Sequence, residues 1–284
     1  MILFVNDLTV IDFSYLCNQR GPVGESWIVD VVLHGNLNEE SMVLDFGLVK
    51  KQIKRIIDDS IDHKLAIPTG LNGRYELSND RVEVEYEFNG HHFAMNAPKS
   101  SACFVTGDSV DIQSTIAFLK SIILPALPSN VKDIEFTLRP EHSRSFYYHY
   151  SHGLKKHDGN CQRIVHGHRS LIEIELDGIS MPRLQKERAD KWQDIYLGSE
   201  EDQVSAESLK YVVAKPEDYC FAYESTQGYF ELAIAKERCD ILPCDSTVEC
   251  IADYLAKEVK KEYPNKKVKV KAYEGVGKGA ISLA

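Results

Sequence analysis

The sequence predicts an α+β protein built from two similar halves. Two observations carry this. Short runs with strand periodicity alternate with amphipathic helical segments, and the order of those segments in the first half recurs in the second. A chain of 284 residues, 43% hydrophobic and 27% charged, has the length and composition to bury one large core or two smaller ones.

In the first half, strands are expected at Leu8–Leu16 and Ser26–Gly35; the second reads SWIVDVVLHG, apolar on both faces as in a strand covered on both sides. NLNEES is a turn, and MVLDF leads into GLVKKQIKRIIDDSIDH. There Val49, Ile53, Ile56 and Ile57 recur at helical spacing, with Lys50, Lys51, Lys54 and Arg55 outside. RVEVEYEF then alternates up to Asn89-Gly90 and continues as HHFAM, a hairpin signal. A second helix over about Ser114–Leu124 places Ile116, Leu119 and Ile123 on one stripe and stops near Pro125. KDIEFTL closes the half as a strand.

The second half follows the same order. HGHRSLIEIELDG stands where VGESWIVDVVLHG stood, and FAYESTQGYFELAIAKERCDI answers the Asn-Gly hairpin. STVECIADYLAKEV, with Val248, Ile251, Leu255 and Val259 on one face, answers the Ser114 helix, and KVKVKAY answers KDIEFTL. Ser246-Thr247-Val248-Glu249 fits a capping box at the start of that helix. One segment does not repeat: PRLQKERADKWQDIYLGSEEDQVSAE is charged and irregular where the first half has its long helix. The boundary falls near Pro140 to Ser145, giving units 1–140 and 141–284.

Lys and Arg number 33 against 43 Asp and Glu, a net charge of −10. Such a surface argues against nucleic acid or an anionic membrane as the main partner. No apolar run is long enough to span a bilayer, and the start lacks the pattern of a signal peptide. Seven cysteines at irregular spacings, with no CxxC, read as reduced thiols of a cytoplasmic protein.

Histidine carries the chemical signal. Six of the ten fall between His142 and His168. His166 and His168 form H-x-H entering a strand, so both rings point to one face and reach one ion. A third ligand must come from a neighbouring strand, and FYYHYSHGL offers His149 and His152. Three histidines with an open position are a usual catalytic zinc arrangement. Cys161, in the loop HDGNCQRIV, either completes a closed structural site or stands beside the ion as a free thiol for acid/base work. Alone, Asp62-His63 reads as an acidic helix end with a solvated histidine, and Glu274, in AYEGVGKGA, as a loop acid.

Together YHYSHGL, HDGNC and HGHRSLIEI resemble the metal-site region of the 6-pyruvoyl- and 6-carboxytetrahydropterin synthases. The family's other pieces are divided between the halves: MVLDFGLVKK and Asp62-His63 in the first, the Ser246-Thr247 helix start and Glu274 in the second. Counting back from Gly35, the two HGH histidine positions hold Val23 and Glu25, whereas the same count from Gly178 lands on His166 and His168; the first-half counterpart of His152 is near Ser14. The resemblance implies a tandem of T-fold units, each a four-stranded antiparallel sheet with two helices and here an extra hairpin near residues 81–97 and 221–234. It implies Zn2+ on His152, His166 and His168, Cys161 with Asp62 and His63 as the catalytic acid/base groups, and Glu274 and Thr247 against a pterin. The implied activity is a zinc-dependent lyase acting on 7,8-dihydroneopterin triphosphate, with loss of triphosphate to a 6-pyruvoyl pterin or further cleavage to the 6-carboxy product used towards queuosine. A homo-oligomer built from T-fold barrels is implied as well. The alternatives are a non-catalytic pterin-binding or assembly protein and another T-fold enzyme of cyclohydrolase type.

Overall fold

The computed structural model describes residues 1–78, 80–143 and 145–284, so Arg144 of the expected boundary lies outside the described residues. The first half runs β1 (Ile2–Cys17), β2 (Gly21–Gly35), α1 (Phe46–Ser60), β3 (Leu65–Pro68), β4 (Gly73–Leu77), β5 (Arg81–Phe88), β6 (His91–Pro98), β7 (Ala102–Val105), α2 (Ile112–Ile123) and β8 (Val131–Arg139). The second runs β9 (Tyr147–His152), β10 (His166–Leu176), β11 (Ile179–Ser180), α3 (Pro182–Lys191), β12 (Ile195–Ser199), β13 (Gln203–Val204), β14 (Asp218–Ser225), β15 (Gly228–Ala235), β16 (Cys239–Leu242), α4 (Val248–Glu262), β17 (Val268–Tyr273) and β18 (Gly279–Leu283).

Each half carries its own sheet, wider and more mixed than the four antiparallel strands expected. The first has the order β7-β3-β1-β2-β8 and the second β16-β12-β9-β10-β17-β18, with β11 beside β10. In both, the two strands next to the central hairpin run parallel: β3 to β1 and β7, and β12 to β9 and β16. These short runs, such as LAIP and ACFV, carry no period that separates strand from buried coil. Helices α1 and α2 bury Val49, Ile53, Ile57, Leu119 and Ile123 against one face of the first sheet. The charged segment after Pro182 is also helical: α3 buries Leu184, Gln185 and Ala189, supplying the helix that its irregular sequence does not announce. Its apolar stripe is narrow, and packing beside Trp192 and α4 decides its conformation.

The two extra hairpins do not project separately. β6 and β15 pair antiparallel, from Asn96 with Glu231 to Phe93 with Ile234, and join the hairpins into a six-stranded sheet, β13-β14-β15-β6-β5-β4. An isolated hairpin is marginal in water and leaves open edges; joining the two removes one edge from each.

Among the described residues no ladder joins the two main sheets. They meet where β2 crosses β9 and β10. A Cβ on Gly24 would stand 1.8 Å from the Tyr150 carbonyl oxygen, and one on Gly167 would stand 2.7 Å from the Gly24 Cα. Beside them the Ser14 and Ser151 hydroxyls hydrogen-bond at 2.7 Å in full burial. Gly24→Ala should therefore force the halves apart and lower stability by about 3 kcal/mol, the upper end of ordinary overpacking costs. A denaturant midpoint within error of wild type would refute the close approach.

Candidate metal centre and its acid/base groups

The strand pairing of β9 with β10 sets His152 opposite His166 and Tyr150 opposite His168. Three imidazoles thus gather on one patch, at most 1% exposed, with one ring nitrogen from each within 4.8 Å of the others. His149, the alternative third ligand, is not among them. Its ring turns to the other pocket described below.

Main-chain partners orient two of the rings. His152 Nδ1 donates to the Ser246 carbonyl at 3.1 Å, and His166 Nδ1 donates to the Arg163 carbonyl at 2.9 Å. A carbonyl only accepts, so each Nδ1 keeps its proton and each Nε2 offers a lone pair. Burial and the neighbouring imidazoles push both rings well below the usual histidine range, which keeps them neutral. His168 Nδ1 lies 3.2 Å from Asp12 Oδ1, without the alignment of a full hydrogen bond. His152 Nε2 and His168 Nε2 are buried with no protein partner. Orphaned, convergent imidazole nitrogens are the donor set a divalent ion such as zinc takes, so the residues present fit a metal.

His63 comes to this patch from the first half of the same chain. Its ring centroid is 5.3 Å from that of His166, and His63, Cys161 and His166 form a second cluster with ligand atoms within 4.8 Å. His63 sits on the turn after α1 at φ 53°, a left-handed conformation, with its backbone N–H on the Asp12 carbonyl at 2.7 Å. Asp62 Oδ2 holds His63 Nδ1 at 2.5 Å, and Asp62 Oδ1 accepts the Asp12 N–H at 2.9 Å. Burial disfavours charge on His63, but Asp62 and Cys161 outweigh it and raise the ring to about 10. Cys161 and His63 are only partly buried, so the cluster opens to solvent on their side. All seven cysteines are free.

The other expected residues are placed as follows. Glu274 follows β17, and Lys278 Nζ lies 3.7 Å from its carboxylate. Its neighbour Gly275, at φ 67°, is tucked so closely that a Cβ would stand 2.3 Å from Asp12 Oδ1. Thr247, not Ser246, is the N-cap of α4, and its hydroxyl accepts from Cys250 N at 3.4 Å. The expected box does not form: Thr247 caps the helix alone, and Ser246 turns its hydroxyl to His152 Nδ1, at 3.0 Å.

Three residues of the site escaped the sequence reading. Arg163 donates to the Asp62 and His63 carbonyls at 3.2 and 3.3 Å, fastening the first-half turn to the second half. Lys278 stands 3.6 Å from Asp12 Oδ2. Asp12 is 4% exposed and is held at about 2 despite its burial, by His168, Lys278 and the Ser26 hydroxyl. A carboxylate within the apolar run VIDF was the available signal for Asp12; nothing in the sequence marks Arg163 or Lys278.

The equivalent pocket of the first half is built differently. Ser14 opposite Gly24 matches Ser151 opposite Gly167, so Tyr15, Val23 and Glu25 occupy the places of His152, His166 and His168. The counterpart of His152 is therefore Tyr15 rather than Ser14. Asp194, at φ 58°, stands in the place of His63, and Arg20 pairs with it through two bonds at 2.8 and 2.5 Å. Burial raises Glu25 to about 7. Between its ordinary 4.5 and about 7 the folded chain holds a proton that the unfolded chain has released. Stability from this group is thus present below about pH 4.5 and is lost as pH rises through about 7. Glu25→Gln should gain on wild type by roughly 3 kcal/mol between about pH 4 and about pH 8. A pH-independent difference in unfolding free energy would refute this.

The family model described as 6-pyruvoyl tetrahydropterin synthase matches residues 18–72 and 141–282. Among solved structures, the chain is similar to a Plasmodium vivax 6-pyruvoyltetrahydropterin synthase carrying a catalytic-residue mutation, at 19% identity over 49% of this chain and 90% of that one, TM-score 0.37. It is similar to the Plasmodium falciparum 6-pyruvoyl tetrahydropterin synthase at 13% identity over 49% of this chain and 90% of that one, TM-score 0.39. A further Plasmodium vivax 6-pyruvoyl tetrahydropterin synthase gives 16% identity over 49% of this chain and 97% of that one, TM-score 0.37. No curated protein matches the chain. Among the described residues no helix is long and apolar enough to cross a membrane.

Proposed function

The chain belongs to the 6-pyruvoyl tetrahydropterin synthase family, and from that premise we propose that it is a zinc-dependent lyase acting on 7,8-dihydroneopterin triphosphate. The observation that carries this reading is the meeting, in one chain, of the buried trio His152, His166 and His168 with Cys161 and His63.

When bound, the zinc ion supplies Lewis acidity towards the side-chain hydroxyls of the substrate. Cys161, beside the histidine trio rather than part of it, would take the proton from the side-chain carbon. His63, oriented by Asp62, is the second acid/base group and returns the proton. Glu274 anchors the planar N–H edge of the pterin, and Thr247 sits at the helix start beside Ser246. Two T-fold units, 1–140 and 141–284, divide the labour: the first supplies Asp62 and His63, and the second supplies everything that touches the ion. Seven free thiols support a cytoplasmic setting. Ile2 and Phe4, 60% and 64% exposed on the face of the first sheet away from α1 and α2, support a homo-oligomer.

The test is turnover of 7,8-dihydroneopterin triphosphate by the zinc-loaded protein, with mass analysis of the products. A 6-pyruvoyl or 6-carboxy pterin is expected, and which of the two appears settles the bond that breaks. Zinc-replete protein that leaves this substrate intact would sink the lyase reading.

A further inference from the structure

We infer that Asp12, on the half that lacks the histidine trio, is a positioning residue for the metal centre, with its carboxylate fixing His168 from behind across the contact between the halves. The inference rests on the reading that His152, His166 and His168 hold a metal ion.

The three rings are not oriented alike. His152 and His166 rest their Nδ1 atoms on main-chain carbonyls of their own half. His168 alone faces a carboxylate, Asp12 Oδ1 at 3.2 Å, and that carboxylate belongs to the other half. A carboxylate behind a ligating imidazole sets its tautomer and makes it a stronger donor than a neutral carbonyl does.

Asp12 is itself tightly placed. The Ser26 hydroxyl donates to Oδ1 at 2.5 Å, and that hydroxyl in turn accepts the Arg169 N–H at 3.1 Å, next to His168 in the chain. A Cβ on Gly275 would stand 2.3 Å from Oδ1, and Lys278 Nζ lies 3.6 Å from Oδ2. The Asp12 main chain bonds both members of the acid/base pair, through Asp62 Oδ1 and the His63 N–H. One residue of β1 thus touches a metal ligand, the acid/base turn and the Glu274 loop.

The first-half pocket offers an independent comparison. The position matching Asp12 is His149, because both lie two residues before the paired serines, and the position matching His168 is Glu25. There Glu25 Oε2 lies 3.9 Å from His149 Nδ1, which instead donates to the Gly24 carbonyl at 2.7 Å, so the residue types are exchanged and the contact is looser. Acid and histidine thus exchange places between the two pockets, and only where the histidine stands in the ligand position with a carboxylate at its Nδ1 is the rest of the trio present.

The experiment is a chelator competition on the full chain, measuring Zn2+ and Co2+ affinity and the visible absorption of the Co2+ form. Asp12→Asn keeps the volume and removes the charge; it should weaken binding about 10- to 100-fold and shift the cobalt bands. Ser26→Ala should weaken binding by less, in the same direction. Ser14→Ala, which removes a buried hydrogen bond at the same contact, should leave affinity and spectrum unchanged. A role limited to holding the halves together would lower the melting temperature and move neither. Wild-type affinity and spectrum in Asp12→Asn would overturn the inference; if that variant does not fold, the same result in Ser26→Ala overturns it. A wild-type chain that takes up neither ion would instead sink the metal reading itself.

Discussion

His166→Ala is expected to lose its metal and its turnover together. The residue supplies one of three converging nitrogens, and its ring is set by the Arg163 carbonyl at 2.9 Å. Outer residues of metal sites cost about 10- to 100-fold in affinity when removed; a ligand itself should cost more than that. Elemental analysis should find one zinc per wild-type chain and close to none in the variant. The count of one follows from Tyr15, Val23 and Glu25 in the equivalent pocket, which offer no second trio. Two zinc ions per wild-type chain, or full occupancy in His166→Ala, would contradict the assignment.

His63→Ala should lower turnover by roughly 10²- to 10⁴-fold, the usual worth of one acid/base group, while zinc content stays at wild type. Cys161→Ala should also abolish turnover with the metal retained; loss of zinc there would make the thiol a fourth ligand and the site a closed, structural one. Mixing the two variants is the sharper measurement. His63 and Cys161 meet within one chain, so oligomers assembled from His63→Ala and Cys161→Ala chains should recover no activity. Recovery towards a quarter or more of the wild-type rate would mean that working sites form between chains.

These expectations draw on a sequence whose chemistry was legible only in part. HGH in a strand, a third histidine on the adjoining strand and a cysteine in the loop between them are local facts. Strand periodicity alone puts His166 and His168 on one face, and one antiparallel pairing adds His152. Asp62-His63 was ambiguous for a physical reason. A helix that ends in an acid and a histidine looks the same whether that end faces water or another domain, and the sequence separation of 100 from His63 to Arg163 hides which it is.

The sequence by itself determined the long strands, the extra hairpins and helices α1, α2 and α4, the repetition of that order, and the half that carries the histidine trio, because each depends on periodicity or spacing within a few tens of residues. Only the tertiary structure decided the rest. The parallel strands β3, β7, β12 and β16 are too short and too uniformly apolar to announce themselves, and β6 and β15 each chose a partner from the other half. Asp12, Arg163 and Lys278 joined the site through single contacts between distant segments. Such contacts leave no period in the chain: an acid on a strand is exposed or buried, idle or paired, according to what crosses over it, and here the crossing is set by Gly24 and Gly167, where the absence of two side chains lets the halves close.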